Sequence, residues 1–161
     1  MQTVSDQDKK ISTISPLQGL INLETLILQN NLVKDLQPLI GMDRMKNLNC
    51  YSNRVHDISP LKRLPLIEEL ILSDNPVSSL IDLEDLKSLR HLSISTDQVP
   101  ALLRCRHLLK LQTLRIRGDI PIENLKQFPE MPRLKLLELE SPMDLTGLER
   151  FPSLENLDVF N

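Results

Sequence analysis

The sequence predicts an α/β repeat solenoid: a stack of short parallel strands joined by tight 3₁₀ and extended turns. Three observations carry that expectation. The pattern L-x-x-L-x-L recurs at a fixed step, and between its copies apolar residues fall at every third position. The third is compositional: the 161 residues include no Trp, three Phe and one Tyr. A core built from many equivalent thin layers takes medium aliphatic side chains, because each layer offers the same small volume.

The strands come first. Leu26, Leu48, Leu70, Leu92 and Leu114 repeat every 22 residues. Leu28, Cys50, Leu72, Ile94 and Ile116 keep the same step, as do Leu23, Met45, Ile67, Leu89 and Leu111. One inserted residue near Pro121 moves the next unit to Leu134, Leu137 and Leu139, and a shortened unit gives Leu154, Leu157 and Val159. These are seven copies, predicting a parallel sheet of about seven strands. The turns come next. Val33, Leu36, Leu39 and Met42, then Val55, Ile58, Leu61 and Leu64, are spaced by three, which suits 3₁₀ turns whose residues i and i+3 face the same way. Pro16, Pro38 and Pro60 sit at one phase, where a fixed φ starts such a turn. All eleven prolines avoid the strands, as a ladder needing every N–H requires. Asn31, Asn53 and Asn75 share a third phase; a buried carboxamide there donates and accepts at once. Asp97 and Asp119 continue that register, and an ionised carboxylate only accepts, so the ladder is expected to weaken in the C-terminal half.

The segments L-x-x-L-x-L-x-x-N at 23–31, 45–53 and 67–75, followed by V-x-x-[LI]-x-P-L, resemble the 22-residue leucine-rich repeat of bacterial internalins. The nuclear regulatory subunit of protein phosphatase 1 is of the same class. The resemblance covers roughly residues 11–161 and implies a right-handed horseshoe with its parallel strands on the concave side. It implies no partner, since relatives with this repeat bind many different proteins. Residues 11–161 are the expected repeat domain. Residues 1–10 place Val4 and Asp6 in phase with Leu26 and Leu28, and an Asp does not suit a core site. That stretch is expected to be a degenerate repeat, a makeshift cap or a disordered lead-in. Asn161 follows the last strand directly, so either the chain is a fragment or something covers that edge.

Composition names no partner: 19 bases against 22 acids leave a net charge of −3. The N-terminus has no apolar leader segment, no stretch approaches the roughly 18 apolar residues of a membrane span, and there is no N-x-[ST] acceptor. A cytoplasmic protein is expected, with a domain excised from a secreted or surface protein as the alternative. Cys50 and Cys105 fall on core positions and read as small buried hydrophobes. No nucleophile elbow, zinc-binding H-E-x-x-H, P-loop or C-x-x-C is present, and the four glycines are scattered. His56, His91 and His107 lie at different phases, so they do not converge on a metal. The chain is expected to be no enzyme and to carry no cofactor.

What remains is the concave face. Residues between the strand leucines point out of the core, because side chains alternate faces. One column runs Ile27, Asn49, Ile71, Ser93, Arg115, Glu138 and Asp158; its neighbours contribute Tyr51, His91, Arg117, Glu140 and Phe160. Ile27, Tyr51 and Ile71 are apolar or amphipathic choices, though Asn49 separates the isoleucines. Tyrosine suits a binding anchor, burying area at low entropic cost. Arg115 and Arg117 face Glu138 and Glu140 one strand away, about 4.8 Å, as cross-strand pairs. These pairs either neutralise each other or orient a charged partner. From Lys87 to Arg117 there are seven bases (Lys87, Arg90, Arg104, Arg106, Lys110, Arg115, Arg117) against Asp97 alone. From Gly118 onward there are nine acids against four bases.

The function expected is a non-catalytic module holding a protein partner on the concave sheet through Ile27, Tyr51, Ile71, His91, Arg115, Arg117, Glu138 and Glu140. The first alternative is the recognition arm of a larger enzyme or effector. Nucleic-acid binding through the Lys87–Arg117 surplus ranks below it, since Tyr51 is the one nearby concave aromatic for stacking. No small-molecule substrate or membrane is expected, and the chain is expected as a monomer or an edge-mediated dimer.

Overall fold

A computed structural model describes the backbone of residues 3–5, together with residues 10–140 and 142–160. Its strands are β1 (Thr3–Ser5), β2 (Thr25–Ile27), β3 (Asn47–Asn49), β4 (Glu69–Ile71), β5 (His91–Ser95), β6 (Thr113–Arg117), β7 (Leu136–Glu140) and β8 (Asn156–Phe160). All pair in parallel and in chain order within one sheet. The register follows the repeat. Leu26, Leu48, Leu70, Leu92 and Leu114 pair in succession, then Leu114 with Leu137 across the inserted residue and Leu137 with Leu157 across the shortened unit.

Among the described residues the sheet has eight strands, one more than the leucine pattern predicts. β1 supplies it, with Val4 paired to Leu26 in the 22-residue phase. Backbone pairing makes no demand on side-chain type, so this strand carries no leucine signature. Asp6, whose suitability for a core site the phase questions, lies outside the described residues.

Strand and turn residues close the core from opposite sides. Leu26, Leu48, Leu70, Leu92, Leu114 and Leu137 are buried, as are Val33, Leu36 and Leu39 and their equivalents behind them. The turns η1 (Ser15–Leu17), η2 (Gln37–Leu39) and η3 (Ser59–Arg63) each hold a proline in the first turn, while η4 (Ile81–Asp85) does without one. A second column prepares them. Thr13, Asp35, Asp57 and Ser79, again 22 residues apart, accept a hydrogen bond from the backbone N–H two residues on, at 3.2, 2.8, 2.8 and 3.4 Å. Such side-chain turns offer the backbone an alternative to helix or sheet. The four 3₁₀ turns stack in succession, η1 on η2 through to η4.

The Asn column forms a ladder. Asn53 Oδ1 accepts from Val33 N–H at 3.0 Å, and its Nδ2 donates to the carbonyls of Leu28, Cys50 and Tyr51. Asn75 repeats this with Val55 N–H and the carbonyls of Cys50, Leu72 and Ser73. The residue before each rung, Asn30, Ser52 or Asp74, takes a left-handed conformation with φ of 59°, 50° or 57°.

Asp97 and Asp119 do not continue the ladder; both are exposed. The next rung is Gln98, fully buried, whose Nε2 donates to the carbonyls of Leu72 and Asn75 and whose Oε1 accepts from Ser95 N–H. Here β5 runs two residues longer than β4, and the chain turns through η5 (Thr96–Gln98) directly into α1 (Val99–Leu102). The longer carboxamide arm reaches back from one position later. Further on, the convex layers admit aromatics: Phe128 and Phe151 meet edge to face at 6.5 Å. A last 3₁₀ turn, η6 (Leu148–Arg150), follows Gly147 at φ 107°.

Candidate functional site on the concave face

Alternation along β2–β8 aims one set of side chains outward, and the 22-residue step aligns them across strands. In the N-terminal part, Thr25, Ile27, Asn47, Asn49, Glu69 and Ile71 line a shallow hollow. Asn49 lies between the isoleucines, as its column places it. Its Oδ1 accepts from Tyr51 N–H at 2.9 Å, and its Nδ2 donates to Gln29 Oε1 at 3.3 Å. These bonds hold the Asn49 side chain in place between Ile27 and Ile71.

A second cleft lies beside it, lined by Tyr51, Ser73, Asp74, Ser93, Arg115, Arg117, Gly118 and Glu140. Tyr51 is 39% exposed. A side-chain hydrogen bond to Asp74, that carboxylate's charge and partial burial together raise the phenol above its ordinary value. Ser73 and Ser93 share a hydroxyl hydrogen bond of 3.1 Å across β4 and β5. His91 is half-buried on β5, lining neither hollow.

At the far end the arginines pair differently from the one-to-one arrangement their columns suggest. Arg115 Nε reaches Glu138 Oε1 at 2.7 Å, and Arg117 Nη2 reaches Glu138 Oε2 at 3.1 Å. Glu140 instead accepts from the backbone N–H of Gly118 at 2.9 Å. Arg117 also lies over the Phe160 ring, 5.4 Å from its centre. Burial pushes the Glu138 carboxyl up, but the hydrogen bonds and charges of the two arginines outweigh it and hold the group below its ordinary value. One carboxylate thus fixes two guanidinium groups. Arg115 lines the cleft as well.

The concave columns and the Arg–Glu juxtaposition were readable from the repeat step. Asp74 and Phe160 were not assigned a role. Asp74 sits one residue past the concave column, and only the left-handed turn after β4 brings it to Tyr51. Phe160 stood in its column, but its stacking depends on how Arg117 bends.

Other reactive groups lie away from this face. Cys50 and Cys105 are free and buried, and burial pushes each thiol up to about 12, with the charges of Glu84 and Asp82 adding to the effect at Cys105. Thiols of this kind are poor nucleophiles at neutral pH. His56 and His107 are exposed on turns. Among the described residues no group of His, Cys, Asp and Glu is arranged to hold a metal, and no helix is long and apolar enough to cross a membrane.

Comparison with known proteins agrees with this architecture. A family model described as "Leucine Rich repeats (2 copies)" matches residues 21–63. The structure of internalin C2 from Listeria monocytogenes is similar over 98% of this chain and 70% of its own, at 26% identity and a TM-score of 0.78. Internalin InlF of the same organism is similar over 93% of this chain and 51% of its own, at 23% identity and a TM-score of 0.55. The functional domain of InlJ, also from Listeria monocytogenes, is similar over 98% of this chain and 39% of its own, at 19% identity and a TM-score of 0.54. Comparison with curated proteins gives no match. The last two structures speak to the fold alone, and the chain spans about half or less of each. The repeats and the internalin C2 likeness support a protein–protein interaction module, on a fold that is typically non-catalytic. With repeat step, parallel register and stacked 3₁₀ turns in agreement, the chain folds as a leucine-rich-repeat solenoid similar to that of internalin C2.

Proposed function

We propose that the chain is a non-catalytic module that holds a protein partner against the concave sheet, over the strip from Ile27 to Arg117. The observation carrying this reading is the hollow shared by Ile27, Asn49 and Ile71, beside Tyr51, with Asn49 held by Gln29 and the Tyr51 N–H. Covering the isoleucines removes apolar area from water, and a partner that covers Asn49 must offer an acceptor to its second N–H. Tyr51, oriented by Asp74, supplies an amphipathic anchor. Glu138 pre-orders Arg115 and Arg117, lowering the entropic cost of engaging them. Glu140 and His91 flank these anchors.

Nucleic acid is the weaker reading on geometric grounds. Of the seven bases between Lys87 and Arg117, Arg115 and Arg117 lie on the concave face, where the Glu138 carboxylate offsets part of their charge. Arg104 and Arg106 lie on the convex turns, and Lys87, Arg90 and Lys110 lie where the strands begin. Phosphate contacts spread over three faces do not form one binding track. The proposed compartment is the cytoplasm, with a domain of a secreted or surface protein as the alternative; two unpaired buried thiols are compatible with a reducing setting.

A photo-crosslinking amino acid placed at Tyr51, and in a second variant at Arg104 on the convex side, tests the concave assignment in native lysate. We expect a discrete protein adduct from position 51 and none from 104. The same adduct should be lost when Ile71→Asp or Arg115→Glu is added. Adducts of equal yield from both positions, or an adduct indifferent to both substitutions, would remove the concave face from consideration.

A further inference from the structure

The basic surplus leaves one part unexplained by the concave face. At the rim where β5, β6 and β7 begin, the segments 86–90, 108–112 and 131–135 carry Lys87, Arg90, Lys110, Arg133 and Lys135 and no acid. In a chain of net charge −3, this is a local reversal of sign. Lys135 pairs with Glu155 at 2.7 Å. Lys87, Lys110 and Arg133 are exposed.

The same rim holds a hollow, and the fold explains why. The 3₁₀ turns stack pairwise as far as η4, whereas the next repeat turns early, through η5 and α1, and then runs as irregular turns to β6. η4 therefore has no 3₁₀ neighbour on its far side. The gap is floored by Leu86, Leu89, Leu108 and Leu111 and overhung by Leu109, which is 50% exposed. Its lips are Lys87, Lys110 and His107. Glu84 also borders it, but one carboxylate oxygen is engaged by the backbone N–H groups of Arg106 and His107. Lys87 donates to the Glu84 carbonyl at 2.6 Å, which anchors one lip. Glu130, joined to His107 through a backbone bridge, and Asp85, paired with Lys62 at 3.6 Å, are further acids close to it.

We propose that this rim is a second docking site, taking an acidic protein segment that inserts one apolar side chain between Lys87 and Lys110. The hollow, about 110 Å³, is of the order of the roughly 150 Å³ apolar cavity that accepts a benzene-sized group. Charge complementarity selects carboxylates on either side of the inserted residue. A bilayer does not reach into a hollow between two turns with one exposed leucine at its edge. His107 at the lip is its one aromatic ring, and no Phe, Tyr or Trp lines it to stack successive nucleobases. The site is separate from the concave face, so the two readings stand or fall independently.

The test uses the full chain, ¹⁵N-labelled, and a capped pentapeptide of one leucine flanked by two glutamates on each side. We expect saturable shifts of the amides of Leu86, Leu108 and Leu111, with those of β2–β4 unmoved. Affinity should fall at least about tenfold, some 1.4 kcal/mol, in the Lys87→Glu/Lys110→Glu variant and when the peptide's leucine becomes serine. It should also weaken as salt screens the lips. Both lysines are exposed, and unchanged resonances away from the rim would verify the variant's fold. Non-saturating shifts, equal binding of a lysine-flanked peptide, or unaltered affinity in the double variant would overturn the proposal. So would stronger perturbation of the same amides by phosphatidylserine vesicles than by the peptide.

Discussion

Asn53 shows how much of the stacking rests on single side chains. It closes its own turn through Cys50 and Tyr51 and joins the preceding repeat through Leu28 and Val33, all within 3.1 Å. Removing it orphans the buried Val33 N–H, while the carbonyls of Leu28, Cys50 and Tyr51 each keep a second donor in Asn31, Asn75 and the Asn30 N–H; an unmet buried polar group costs about 1–3 kcal/mol. Asn53→Ala should therefore lower unfolding free energy by about 2 kcal/mol in urea titrations, chiefly through the orphaned Val33 N–H. Asn53→Asp should recover little at neutral pH, since it keeps the acceptor for Val33 and turns a charge toward carbonyls. A variant within about 0.5 kcal/mol of the parent would mean that the ladder is ornamental. This column was plain in the sequence as far as Asn75, because its residue type and its step coincide. It misled at Asp97 and Asp119, where the step persists but the backbone has shifted by one residue. Gln98 carried no periodic signal of its own.

Between β6 and β7, the Arg115–Glu138–Arg117 group joins two strands whose leucines already fix their register. The column arithmetic placed Arg115 opposite Glu138 correctly, since parallel register is a backbone property. It missed the choice made by Arg117, because a long side chain selects among neighbours by local hydrogen bonding. Gly118 N–H takes Glu140, and Glu138, only 11% exposed at its side chain, takes both guanidinium groups. The folded carboxyl sits below its ordinary value, so its contribution is fully present above the unfolded value, near 4.3. That contribution is lost as pH falls through the folded value. Glu138→Gln should thus destabilise by about 1–2 kcal/mol at pH 7, a figure reduced from that of a fully buried pair because both arginines are partly exposed. The gap between parent and variant should narrow steadily below pH 4.3 or so in thermal melts. A gap independent of pH would assign the effect to packing instead.

Across the whole molecule, stability of such a stack is close to a sum of repeat terms and neighbour interfaces, so its weakest interface decides how cooperatively it unfolds. Several departures from regularity fall at one place. The Asn ladder ends at Asn75, the 3₁₀ stack ends at η4, and the apolar hollow opens between η4 and the following repeat. Gln98 bridges this seam, holding Leu72 and Asn75 from 26 and 23 residues away. Cys105 Sγ adds a weaker contact to the Leu80 carbonyl at 3.2 Å. The seam was not legible beforehand, since the leucines run through it at an unbroken 22-residue step; only the missing proline after Ser79 and the early turn at Thr96 differ. Gln98→Ala should therefore do more than cost about 2–3 kcal/mol: it should uncouple the two sides. The protein carries its own reporters, because Cys50 lies on the N-terminal side, Cys105 on the C-terminal side, and both are buried. In the parent, the two thiols should become reactive toward a labelling reagent over one range of urea concentration. In Gln98→Ala, Cys105 should react at lower urea than Cys50, as the C-terminal repeats open while the intact ladder holds the N-terminal ones. Coincident labelling in the variant, even at reduced overall stability, would show that the leucine core alone carries cooperativity across the seam.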